Sequence, residues 1–260
     1  MPGWAFDRAV EYYDATRSLP PDVGAQVTEL LAAELAGRER VLEIGVGTGR
    51  IALPLHARGV PLIGADIARP MLERLVANAG GHQPFPIVLA DATALPFADE
   101  THDVVLASHV LHLIPPWTAA VDEAMRVLAP GGALLVDFGG GPPSPWTEGV
   151  ERVMGELGVH HVRPGVSVAD EVARHVGARA GARELASVPM TVRRSLAENL
   201  DQWERQQQSW TWQYPTEQIA AACDAVRRWA GDEGIALDDK VELDNVITWW
   251  SFDKPVRPAR

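Results

Sequence analysis

Apolar residues along the first 138 positions fall into two alternating rhythms. Short, nearly continuous apolar runs at 40–44, 60–66, 85–89, 102–108 and 133–138 have the length and β-branched character of buried strands. Between them, apolar residues recur at helical spacing. Val23, Val27, Leu30, Leu31 and Leu35 form one such set, and further helices are expected from Ile51, over 70–78 and over 117–128. Gly37, Gly59 and Gly80-Gly81 punctuate the ends, and Pro130-Gly131-Gly132 reads as a turn. Strands alternating with helices predict an α/β fold, a doubly wound and mostly parallel sheet covered on both faces. Ahead of it, residues 4–17 carry Trp4, Phe6, Tyr12 and Tyr13 as a short amphipathic helix. Leu19-Pro20-Pro21-Asp22 breaks that helix, because paired prolines cannot continue one.

After position 138 the pattern changes. Gly139-Gly140-Gly141-Pro142-Pro143-Ser144-Pro145 is a linker. Helices are expected over 146–157, 168–176, 196–208 and 216–230, the last with Thr216 as N-cap, and strands over 183–192 and 241–252. The organisation read from these patterns is an N-terminal cap over 1–37 and a core over 38–138. The remainder, 139–260, supplies a lid together with the last strands of the sheet. Six of the nine tryptophans (Trp203, Trp210, Trp212, Trp229, Trp249 and Trp250) fall in the last sixty residues. They can line an apolar pocket or form an ordinary core.

A chain of 260 residues with 47% hydrophobic and 22% charged residues suits a soluble globular domain with an appended subdomain. No apolar run reaches membrane-spanning length, and the N-terminus lacks the order of a signal peptide, so cytoplasm is the expected location. A single cysteine, Cys223, forms no internal disulfide and no metal cluster. The formal charge of −12 argues against nucleic-acid partners. No membrane partner is expected, and the oligomeric state is not legible.

Chemistry concentrates in Glu43-Ile44-Gly45-Val46-Gly47-Thr48-Gly49-Arg50, where a strand meets an acid and three alternating glycines. Such a loop lets backbone approach a ligand closely. A dinucleotide fingerprint requires its third glycine where Arg50 stands, and no Gly-Lys-Ser/Thr follows for a triphosphate. The loop therefore suits a nucleoside ligand without a pyrophosphate.

Further motifs follow in order: Gly64-Ala65-Asp66, Ala90-Asp91-Ala92 with Leu95-Pro96-Phe97, His102-Asp103-Val104-Val105, and Val127-Leu128-Ala129-Pro130-Gly131-Gly132. This ordered set over 38–138 resembles the class I S-adenosylmethionine-dependent methyltransferases, in particular the small-molecule kind labelled type 11. The resemblance implies a seven-stranded, Rossmann-like sheet with its last strand antiparallel. S-adenosyl-L-methionine would lie across the strand ends. It implies that Gly45, Gly47 and Gly49 floor the site and that Asp66, beside Ile67, accepts the ribose hydroxyls. Asp91 would take the adenine amino group beside the Ala92 amide, and Glu43 would orient the amino-acid end. Ser108 and His109 would lie beside the methionine portion, and Tyr13 or Arg17 from the N-terminal helix would reach its carboxylate. Simpler roles compete: Asp66 as a helix N-cap, Asp91 in a local turn, Tyr13 and Arg17 on a solvated helix.

A sulfonium is already activated, so methyl transfer needs mainly alignment and exclusion of water. His109 and His112, three residues apart, are the candidate catalytic bases, with packing as the alternative. The expected reaction methylates a small apolar or aromatic acceptor. An RNA or protein methyltransferase, and a non-catalytic binder of the cofactor, are the competing readings.

Overall fold

The computed structural model describes residues 9–257, so Trp4 and Phe6 of the expected first helix lie outside the described residues. The first elements are α1 (Tyr13–Arg17), α2 (Pro21–Glu34), β1 (Val41–Ile44), α3 (Ala52–Ala57) and β2 (Leu62–Asp66). They are followed by α4 (Arg69–Asn78), β3 (Ile87–Leu89), β4 (His102–Ser108), α5 (Trp117–Val127) and β5 (Leu128–Asp137). Of the expected 4–17 helix, the described part is helical over Tyr13–Arg17, while α2 starts on Pro21, whose fixed φ suits a first helical position. The β3 ladder begins only at Ile87, opposite Gly64, because Pro86 has no N–H and contributes its carbonyl alone, to Gly64 N.

Downstream come α6 (Thr147–Glu156), α7 (Ala169–Val176), β6 (Gly181–Glu184), β7 (Val188–Arg194), α8 (Leu196–Glu204), α9 (Thr216–Asp232), β8 (Val241–Ile247) and β9 (Trp249–Asp253). Seven strands form one sheet in the order β3-β2-β1-β4-β5-β9-β6. The first five are mutually parallel, and β9 runs antiparallel to both β5 and β6. Each of the two late strands read from the sequence is in fact two. Neither run carries a glycine or proline at the point where its strand changes partners. The changes come at Leu185–Ser187 and at Thr248, where the Ser187 and Thr248 hydroxyls meet at 3.1 Å. On one side of that point β6 and β9 complete the sheet, and on the other β7 and β8 pair as a ribbon.

Two smaller expectations also change. Pro130-Gly131-Gly132 is not a turn before the fifth strand but an irregularity within β5, where the register slips between His102↔Leu128 and Val104↔Ala133. Gly131 takes φ +80° there, which only glycine adopts easily. Thr216 is the first residue of α9 rather than its cap; Pro215 occupies the cap position with no side-chain bond. The N-cap that the structure does show is Ser195 on α8. Its hydroxyl accepts from Glu198 N, and Glu198 accepts from Ser195 N, a reciprocal pair that satisfies two otherwise orphaned donors.

The chain divides into two compact units. The first runs to Gly139, resumes over Pro164–Val188 and returns from Ile247. It contains the seven-stranded sheet, whose core includes Leu42, Ile44, Val105, Leu134, Val136 and Phe252, all essentially inaccessible. The second unit comprises Gly140–Arg163 and Pro189–Val246, with α6, α8 and α9 around a core of its own. No helix among the described residues is long and apolar enough to cross a membrane.

Candidate functional site

β1 delivers Glu43 into the sheet interior and ends at the glycine loop. Gly45, Gly47 and Gly49 all take positive φ, at +66°, +54° and +87°. At Gly45 a Cβ would fall 2.4 Å from a Val110 methyl, so the loop packs on the segment after β4 only because this residue has no side chain. Gly47 differs: a Cβ there would meet nothing closer than 3.9 Å, so its face of the loop is open.

Asp66, at the end of β2, holds the loop in place. Its Oδ2 accepts from Gly47 N and its Oδ1 from Ala68 N, both at 2.8 Å. Ala68 is itself the N-cap residue of α4 and carries no side-chain cap bond, so Asp66 braces the approach to α4 rather than capping it. Burial raises the Asp66 pKa, and the amides of Ala68, Gly47 and Ile67 oppose that rise. Each carboxylate oxygen keeps lone-pair capacity for a further donor. Ile67, next in sequence, is 57% exposed, and Leu89 at the end of β3 is 47% exposed, an unusual amount of bare aliphatic surface beside a polar loop. Asp91 is exposed and makes the local turn of its simpler reading, Oδ1 accepting from both N and Oγ1 of Thr93 at 2.8 Å. The half-buried Ala92 packs against the sheet core.

Glu43 is 2% exposed, and its Oε2 has no hydrogen-bond partner among the described residues. Burial lifts its pKa to about 8; the Arg50 charge opposes that and the Asp66 charge adds to it. A buried carboxyl without a donor is costly, and it marks a place where a cationic or donor-bearing ligand group would be stabilised.

The short α1 is tied to this loop. Asp14 accepts from Thr48 Oγ1 at 2.6 Å and from Asn78 Nδ2 at 3.1 Å, and Asn78 also donates to Thr48 O. Tyr13 and Arg17 thereby stand with Thr48, Gly49 and Arg50 in the wall of a cavity of about 680 Å³ that extends along α2 and α3. Asp66 and Asp91 are not in that wall, so the cavity adjoins the glycine loop from one side only.

At the ends of β4 and β5 a buried polar chain assembles. Arg50 donates to Ser108 Oγ at 2.9 Å, Ser108 Oγ donates to Asp137 Oδ2 at 3.4 Å, and His109 Nε2 lies 3.1 Å from the same oxygen. Asp137 Oδ1 accepts from Gly139 N at 2.8 Å. Burial pushes Asp137 up, but His109, Arg50 and the Gly139 amide outweigh it and leave the carboxyl below its ordinary value. Burial and the Arg50 charge lower His109, so the ring is neutral at neutral pH. His109 also takes φ +51°, uncommon for a non-glycine residue. His112 sits on the single helical turn Leu111–Leu113, its ring edge-on to His109 with centroids 6.3 Å apart. His109 precedes that turn, so the two histidines do not share a helix face. Asp137 was not singled out from the sequence, where it reads as the last residue of a buried strand.

Of the aromatic side chains considered for an acceptor pocket, Trp146 and Trp210 are buried in the second unit's core. Trp203 packs edge-on to Trp210 at 5.7 Å. Gly149 leaves room for the Trp229 indole, which a Cβ would meet at 2.0 Å. Trp146 and Trp210 are thus core, and the half-buried Trp203 and Trp229 pack against it. Trp249 is fully buried in the sheet, while its neighbour Trp250 packs on the opposite side.

The order of the sheet, with an acidic residue at the end of β2 and a three-glycine loop after β1, defines a class I methyltransferase fold. Comparison with known proteins agrees. Residues 42–136 match the family model described as a methyltransferase domain. A demethylmenaquinone methyltransferase of Clavibacter sepedonicus is 35% identical over 144 residues, 54% of this chain and 58% of that one. Among solved structures, the YcgJ protein of Bacillus subtilis superposes with a TM-score of 0.58 at 18% identity, covering 90% of this chain and all of that one (100%). The cyclase SpnF superposes at 0.50 with 21% identity, covering 89% and 82%. The chain spans little more than half the length of the Clavibacter relative. Residues 42–136 are thus similar to methyltransferase domains, and the sheet around them has the Rossmann-like methyltransferase fold.

Proposed function

We propose that the protein binds S-adenosyl-L-methionine and transfers its methyl group to a small, apolar or aromatic acceptor. The observation that carries this reading is Glu43, a buried carboxyl with an unpartnered oxygen directly before a loop braced by Asp66. The residues present fit the cofactor. The spare acceptor capacity of Asp66 and Asp91 suits hydroxyl and amino donors, the bare aliphatic surface of Ile67 and Leu89 suits a flat base, and Glu43 suits an ammonium group. A dinucleotide fits poorly, since Arg50 stands where its pyrophosphate loop needs glycine. When bound, the cofactor supplies an electrophilic methyl group on a sulfonium. The chain's own work is to hold the glycine loop open at Gly47, to anchor α1 over Thr48 through Asp14, and to keep solvent from the ends of β4 and β5. Alignment of this kind is the main source of rate for an activated leaving group.

A small acceptor agrees with the net charge of −12, which opposes an RNA partner. The Clavibacter relative is named for a quinone acceptor, demethylmenaquinone, which also points to an apolar ring. Because the same fold serves a cyclase, fold alone does not decide the reaction. The test is incubation with cofactor bearing a deuterated methyl group, offered separately with the small-molecule, RNA and protein fractions of a cell extract. Label recovered by mass spectrometry in the small-molecule fraction is the expected outcome. Label in RNA or protein alone, or in no fraction, overturns the acceptor class or the activity respectively.

A further inference from the structure

Resting on that reading, we propose that Asp137 is a positioning residue that fixes the tautomer of His109, so that His109 Nδ1 is the base that takes the proton of an acidic O–H acceptor. Three observations meet here. The first is the 3.1 Å contact of His109 Nε2 with Asp137 Oδ2: a carboxylate accepts only, so this pairing favours the tautomer with its proton on Nε2 and the lone pair on Nδ1. The second is the fixing of Asp137 itself. It is 5% exposed and held from both sides, Oδ1 by Gly139 N and Oδ2 by Ser108 Oγ, with Arg50 behind the serine. The third is Gly139, where a Cβ would fall 2.8 Å from both Nδ1 and Cε1 of the ring. Only glycine lets the backbone pass this close to the ring, and among the described residues none donates a hydrogen bond to Nδ1.

The other groups facing the ring come from three segments. Arg50 after the glycine loop and Arg17 of α1 act on it through their charge, and His112 presents its ring edge. Both arginines favour a neutral imidazole, the form a base requires. In the step assigned to this site the acceptor O–H bond breaks and its proton passes to Nδ1, giving an imidazolium paired with Asp137. The freed oxygen pair forms the new bond to the methyl carbon, and the sulfur keeps the pair of the bond that breaks. The proton then leaves to solvent. A base is needed only for an acceptor that is protonated at working pH, so the geometry selects phenols and enols over neutral amines, whose lone pair is already free.

Two measurements test this. Long-range proton–nitrogen NMR of the 15N-labelled protein, assigned with His109→Gln, reads the tautomer without any cofactor. His109 is expected as the Nε2–H form, and Asp137→Asn is expected to give a mixture of tautomers. An Nδ1–H form in the unaltered protein overturns the proposal whether or not the Asp137 variant folds, and so does an unchanged ratio in that variant. The second uses phenol and para-nitrophenol as methyl acceptors at slightly alkaline pH. His109→Gln is expected to lower kcat on phenol by about a hundredfold, in the range of general-base catalysis, while leaving the already ionised nitrophenol nearly unaffected. Equal losses on both overturn the base. If neither phenol is methylated while calorimetry still shows cofactor binding, the acceptor class falls and the proposed function stands. If the cofactor itself does not bind, the proposed function falls first.

Discussion

Replacing Glu43 by Gln removes a titration that burial has displaced far from its usual range. The carboxyl moves from 4.5 to about 8 on folding, because it is enclosed on β1 with Oε2 unpaired. Between those values the folded chain holds a proton that the unfolded chain has released. Stability then falls as pH rises, by at most about 1.4 kcal/mol per pH unit, and the loss is complete once pH passes the folded value. Other buried groups slope the opposite way: His102 and His109 are both lowered by burial, and each adds stability as pH rises. The difference between the Glu43→Gln variant and the parent isolates the glutamate. Urea unfolding in steps from mildly acidic to alkaline pH should show the variant gaining on the parent by roughly 1 kcal/mol per unit, levelling off near the folded pKa. A difference that stays constant with pH would show that Glu43 is charged in the folded protein, and the argument from its unpartnered oxygen would fail. The same group makes a second prediction. A ligand ammonium beside Glu43 favours the ionised form, so cofactor binding near neutral pH should release a proton, visible as a dependence of calorimetric heat on buffer ionisation enthalpy.

Asp66→Ala removes the brace on Gly47 and an acceptor for ligand hydroxyls, and should weaken cofactor binding by more than about 1–2 kcal/mol by calorimetry; unchanged affinity removes Asp66 from the site. Gly45→Ala drives a Cβ into Val110 at a backbone angle unsuited to alanine, and should lower stability by about 1–3 kcal/mol in urea, with partial recovery in the Val110→Ala double variant. Ser195→Ala breaks the capping box of α8 and should cost about 1 kcal/mol of the second unit's stability while leaving cofactor affinity unchanged; a large affinity loss would contradict the assignment of the site to the first unit.

The sheet and its loop were legible because their determinants are local in sequence. Buried parallel strands are short apolar runs, and a turn that needs positive φ three times over needs glycine at 45, 47 and 49. Asp66 was legible because an acid ending the second strand is a motif with a mechanism. Partner changes were not legible: no glycine or proline stands at Leu185–Ser187 or at Thr248 to mark them. Nor was the cap at Ser195, although Ser-x-x-Glu was present to be read. Asp137 escaped because an acid closing an apolar strand just ahead of a glycine hinge looks like an ordinary strand end. Its role depends on where β4 places His109, sequence-distant but adjacent through the β4–β5 ladder, where Ser108 pairs with Asp137. The one cue was position, since ligands of open α/β sheets gather at the carboxyl ends of strands.

The central claim is that the glycine loop, Asp66 and Glu43 form a site for S-adenosylmethionine rather than for a dinucleotide. Isothermal titration of the unaltered protein with S-adenosylmethionine, its demethylated product and NAD tests it most directly. Saturable binding of the first two and none of NAD is the predicted result; binding of NAD, or of none of the three, would contradict it.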